Sequence, residues 1–165
     1  MKPPLLKALV AALVGVCAAC SKPATETNAR YAVSSVNPAL YSLPASGALR
    51  VHVHFVNATD AVAYIGHCGE RPAHVVERLE GTTWKSLALP ECPMYWQAPT
   101  TVTPKDTFAF DVELMPGPTI APADLVGTFR VGVGAYRTAD AAITRQDNLL
   151  LPDSVRLTNS FEIVK

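Results

Sequence analysis

Between Leu49 and Phe55 the chain alternates strictly: Leu49, Val51, Val53 and Phe55 are apolar, while Arg50, His52 and His54 are polar. Period two over seven residues is a half-buried strand, because successive side chains of a strand point to opposite faces. Asn57-Ala58-Thr59-Asp60 closes the run with turn formers. Val62, Tyr64 and Ile65 begin another short strand that ends at Gly66. His74 to Leu79 is β-rich at Val75-Val76, and Glu80-Gly81 reads as a hairpin turn into Thr82 to Leu87. No stretch shows sustained helical periodicity.

The remaining chain follows suit. Pro90 to Pro104 carries prolines at 90, 93, 99 and 104 and predicts an irregular crossing, since proline removes a backbone donor and fixes φ. Thr107, Phe108, Phe110, Val112 and Leu114 predict a strand, and Thr128 to Tyr136 predicts a stronger one with Phe129, Val131 and Val133 inward. Thr138 to Asn148 reads as a polar connection with a helical turn at Ala139 to Ile143, and Ser160 to Val164 as a final strand. Tyr31 to Val36 reads as a first, edge strand. Many short strands with frequent turn signals predict an all-β fold, an antiparallel β-sandwich of about seven strands.

The N-terminus sets the compartment. Met1-Lys2-Pro3-Pro4 and Lys7 precede an apolar run from Ala8 to Ala19, and Ala18-Ala19-Cys20-Ser21 ends it. A basic start, an apolar run and small residues ending on cysteine form the layout of a bacterial lipoprotein signal. The expected organisation is a cleaved signal over 1–19, a lipidated Cys20 with a polar tether over 20–30, and one domain over 31–165. Lipoprotein signals prefer leucine where this chain has Cys17, and an ordinary signal cut nearby is the alternative. The apolar run of 12 residues is too short to span a bilayer, which takes about 20. The expected location is therefore the cell envelope, held by several acyl chains, each buried methylene contributing about 0.8 kcal/mol. Ser21 is compatible with sorting to the outer membrane.

Cleavage before Cys20 removes Lys2 and Lys7, leaving 12 of the 14 basic residues against 14 acidic ones and a net charge of −2. That total gives no electrostatic footprint for nucleic acid, and the expectation is no nucleic-acid partner. The expected partners are the membrane, through the lipid, and an unidentified envelope protein. Cys68 and Cys92, 24 positions apart, are the cysteines left in the domain. Outside the cytosol such a pair forms a disulfide, which would stabilise the fold by roughly 3 kcal/mol in the chain-entropy model.

Four pieces in sequence order resemble the bacterial immunoglobulin-like domains of surface and lipoprotein chains. They are Asn57-Ala58-Thr59 at a strand end, the Val76 to Trp84 hairpin (Val-Glu-Arg-Leu-Glu-Gly-x-x-Trp), Gly127-Thr128-Phe129-Arg130-Val131, and the closing Asn159-Ser160-Phe161-Glu162-Ile163. The resemblance covers Leu49 to Val164, and the 117 residues from Leu49 to Lys165 suffice for a seven-stranded domain of about 100. The cysteine pair and the Pro-rich crossing around Cys92 depart from the family. The resemblance implies an immunoglobulin-like β-sandwich serving as an envelope or adhesive module, with no catalytic residues to carry over.

The residues that could bear chemistry are few. His52 and His54 share a strand face and form a candidate metal edge if His74 or Glu77 supplies a third ligand; the alternative is two solvent-facing side chains. His67-Cys68 resembles a thiol with a base, but strand neighbours point apart and a paired Cys68 has no thiolate. Cys68, His74 and Cys92 could also be read as a zinc set. Gly132-x-Gly134 lies in a strand with no helix after it, so close packing or a bulge is expected there, not a phosphate loop. Trp84 is expected in the core. Tyr95 and Trp96, in the crossing, are the candidate interface. The expected function is non-catalytic: a membrane-anchored interaction or structural module needing no cofactor. The alternatives are a metal or small-ligand carrier using His52 and His54, or a proteinase inhibitor presenting the Cys92 loop.

Overall fold

The computed structural model describes residues 34–37, 39–45, 47–87, 97–118 and 120–165. The signal and tether, Cys20, Cys92, Tyr95 and Trp96 lie outside the described residues. Thirteen strands carry the fold among those described. In chain order they are β1 (Ser34–Val36), β2 (Leu40–Ser42), β3 (Leu49–Val56), β4 (Ala63–Ile65), β5 (His67–Cys68), β6 (Arg71–Pro72), β7 (His74–Glu80), β8 (Thr83–Ser86), β9 (Thr100–Val102), β10 (Thr107–Leu114), β11 (Gly127–Val133), β12 (Ala135–Tyr136) and β13 (Phe161–Val164). Two short helices, α1 (Ala139–Thr144) and α2 (Asp153–Arg156), fall between β12 and β13. The class is all-β, as the alternation predicts.

The strands form a three-stranded sheet in the order β1-β3-β10 and a five-stranded sheet in the order β2-β13-β11-β7-β8. A smaller sheet, β12-β4-β9, and the β5-β6 hairpin complete the set. Pairings are antiparallel except β2 with β13. The sheets share one core, and period two explains who enters it. Val51, Val53 and Phe55 of β3 are fully buried, as are Val112 of β10 and Phe129, Val131 and Val133 of β11. Their strand neighbours His52 and Asp111 face solvent.

Gly132 and Gly134 are explained by close approach. A Cβ on Gly132 would stand 2.8 Å from Val75 Cγ1, and one on Gly134 would stand 2.8 Å from both the Cβ and the carbonyl oxygen of Ala73. Gly134 also ties together the junctions β4-β5 and β6-β7: its N–H donates to Ala73 O at 2.7 Å and its carbonyl accepts from Gly66 N at 2.9 Å. The chain therefore breaks between β11 and β12 and changes sheet at this residue.

Three features depart from the expectations. β9 lies within the Pro-rich crossing, where an edge strand paired on one side tolerates flanking prolines. The β5-β6 hairpin and β2 carry no alternation of their own. Trp84 is not in the core. It pairs with Leu79 across the β7-β8 hairpin, so its ring lies on the outer face of the five-stranded sheet, half-buried.

Candidate functional site

Two sheet faces carry the side chains that could do something, and each is set by register. On the three-stranded sheet, β10 lies antiparallel to β3 with Asp111 opposite His52, Glu113 opposite Arg50 and Ala109 opposite His54. Directly opposed side chains on one face interact, so basic β3 meets acidic β10. His52 Nδ1 stands 2.6 Å from Asp111 Oδ1, Arg50 Nη2 donates to Glu113 Oε1 at 3.1 Å, and Arg50 Nε lies 3.7 Å from Asp111 Oδ2. Arg71 reaches Glu113 from β6 at 3.3 Å. The His52 and His54 rings meet edge to face, centroids 4.6 Å apart. A shallow hollow of about 360 Å³ opens beside this row, lined by Ala48, Leu49, Arg50, Glu113 and Met115.

The third metal ligand expected from His74 or Glu77 is not on this face. His74 lies on β7 of the other sheet, with its Nδ1 2.8 Å from Pro72 O and its ring 5.9 Å from Phe110. Burial holds its pKa below the ordinary imidazole value, the Pro72 carbonyl works against that, and Arg71 adds to it. Glu77 is paired with Arg130. Among the described residues no group of three His, Cys, Asp or Glu side chains is arranged to hold a metal ion.

The Cys68 sulfur is disulfide-bonded and does not titrate. His67 does not face it as a base: His67 Nε2 is 2.9 Å from Thr100 Oγ1, and burial lowers its pKa. Alternation along the two-residue strand keeps these neighbours apart. Cys92, the expected partner of Cys68, lies outside the described residues, and so do Tyr95 and Trp96.

The outer face of the five-stranded sheet was not expected as a site. Trp84 on β8 lies under the guanidinium of Arg130 from β11, 4.4 Å from ring centroid to Cζ. Arg130 Nε also donates to Glu77 Oε2 at 2.5 Å, which pins the cation over the ring. Such a stack is worth about 0.5–1 kcal/mol at an exposed site. Toward the far edge Leu40 on β2 and Val164 on β13 are exposed, four and three strand spacings from β8, or about 19 and 14 Å. Alternation alone could not find this face, because it does not say which side of a hairpin meets the core.

No protein-family model and no curated protein matches the chain. Among solved structures it is similar to Pseudomonas fluorescens alkylpurine DNA glycosylase AlkC bound to DNA containing an abasic site analog, at 11% identity and a TM-score of 0.36. The match covers 81% of this chain and 31% of that one, so the chain spans under a third of the matched protein. A likeness of this degree assigns neither activity nor partner. The expectation of no nucleic-acid partner is withdrawn on a different ground. That expectation rested on net charge, a sum over the whole chain that sets no limit on any one face.

Proposed function

We propose that this chain is a non-catalytic envelope lipoprotein, an immunoglobulin-like module tethered through Cys20 that works by protein–protein contact. The anchor rests on the Ala18-Ala19-Cys20-Ser21 signal and on the bonded Cys68 sulfur, for which Cys92 is the partner expected from sequence. The immunoglobulin-like reading rests on the sequence resemblance together with the two main sheets sharing one core. The observation that carries the function is the Trp84–Arg130–Glu77 stack on an outer sheet face. Tryptophan and arginine are the residue types that most often anchor interfaces, and here the arginine is already ordered, which lowers the entropy cost of binding.

The test is a photo-reactive amino acid placed at Ser86, exposed on β8 and on the same face as Trp84. A second copy goes at Ala109, exposed on the other main sheet. One dominant protein adduct in cells from position 86, lost on Trp84→Ala, is expected. Equal adducts from both positions, or an adduct indifferent to Trp84→Ala, would move the contact elsewhere.

A further inference from the structure

We propose that His52 and His54 form an open two-imidazole site for a single copper(II)-class cation, with Asp111 positioning the first ligand. The site is separate from the Trp84 face and does not depend on that reading.

A carboxylate only accepts, so the 2.6 Å contact between His52 Nδ1 and Asp111 Oδ1 puts the proton of the neutral ring on Nδ1. The lone pair then lies on Nε2, on a side chain about half exposed. Histidine ligands characteristically donate their other ring N–H to a carboxylate, which fixes ring orientation and raises ligand basicity. Asp111 is itself held: Arg50 Nε lies 3.7 Å from its second oxygen, and Arg50 and Arg71 both bind Glu113 next to it in alternation. The charges of Arg50, Arg71, Asp111 and Glu113 sum to zero, so the neighbourhood does not repel a dication.

The spacing fits as well. A ring nitrogen binds such a metal at about 2.0–2.1 Å, which puts the ring centroid about 3.2 Å from the ion. Two rings on adjacent coordination positions, about 90–110° apart, then have centroids about 4.5–5.2 Å apart. The rings of His52 and His54 are 4.6 Å apart, with planes at 82°. Rotation about the side-chain bonds completes the chelate, and His54 has room for it, since its cross-strand neighbours are the short Ser35 and Ala109. Two protein ligands leave the other positions to water. A closed structural zinc site needs four ligands, so the site is an exchangeable one. Among divalent cations that accept imidazole, copper(II) binds most tightly.

The experiment is a titration of the tag-free mature protein with copper(II) chloride in a non-coordinating buffer, followed by calorimetry and electron paramagnetic resonance. The same titration is run on His52→Ala, His54→Ala, the double variant and Asp111→Asn, each checked for an unchanged thermal midpoint. Comparison with the double variant removes binding by the N-terminus. One equivalent with coupling to two nitrogens is expected, weakened at least tenfold by either histidine change and 10–100-fold by Asp111→Asn. Equal copper binding by wild type and the double variant overturns the site, as does no binding by wild type. An unchanged affinity in Asp111→Asn overturns the role given to Asp111.

Discussion

Asn57 is the polar residue on which the turn after β3 depends, and its replacement is the sharpest test of how this fold is fastened. Its side chain is fully buried and uses every group it has. Nδ2 donates to Ala61 O at 2.8 Å and to Val102 O at 2.9 Å, and Oδ1 accepts from Thr59 N at 3.1 Å and Thr59 Oγ1 at 2.7 Å. One amide thus ties the loop that closes β3 to β9, the strand inside the Pro-rich crossing. In Asn57→Ala each lost bond costs on the order of 1 kcal/mol, and the Val102 carbonyl is buried where water cannot replace the donor. Ala61 is exposed and recovers water. The sum is about 3 kcal/mol, a large part of a typical domain's 5–15. Asn57→Asp should be worse at neutral pH, because a carboxylate oxygen would face two carbonyl oxygens in a buried site. That carboxyl would have a raised pKa, so the variant should regain stability as pH falls, when the protonated acid can donate again. Urea unfolding followed by circular dichroism measures all three proteins. A loss below 1 kcal/mol in Asn57→Ala, or an Asp variant no worse than the Ala variant, would refute the reasoning.

Other changes test other links. His74 is held neutral by burial, so the unfolded chain takes its proton first as pH falls below the ordinary imidazole value of about 6.5. Folding stability should therefore decline between about pH 7.5 and 5.5, and His74→Leu should flatten that slope in urea titrations at several pH values; parallel slopes would contradict it. Gly134→Ala should cost about 2–3 kcal/mol, since the new methyl meets Ala73 at 2.8 Å, whereas Gly117→Ala, with nothing within 4 Å, should be nearly silent in a thermal melt. Phe129→Ala should cost about 3–5 kcal/mol and Trp84→Ala about 1 in the same urea assay. Similar costs would put Trp84 back in the core.

The period-two runs were legible because burial on one face writes itself into the sequence. Val51-Val53-Phe55 and Phe129-Val131-Val133 lie in the core as their alternation requires. β2 was not legible: Leu40-Tyr41-Ser42 becomes a strand by parallel pairing with β13, a partner more than a hundred residues away. β5 and β6 are two residues each, too short to show a period. On the candidate sites, His52 and His54 share a face by spacing alone, but Asp111 joins them only through the β3-β10 register. Trp84 fell on the unexpected side because the alternation Thr-Trp-Lys-Ser is equally consistent with either face. Register with Leu79 decides it.

The central claim is a tethered, exported module, and the intact mass of the membrane-extracted protein, with and without reductant, tests it most directly. A chain that begins at Cys20, carries added acyl mass and gains two hydrogens on reduction is the expected result. A chain that retains Met1, carries no acyl group and has the same mass before and after reduction would contradict it.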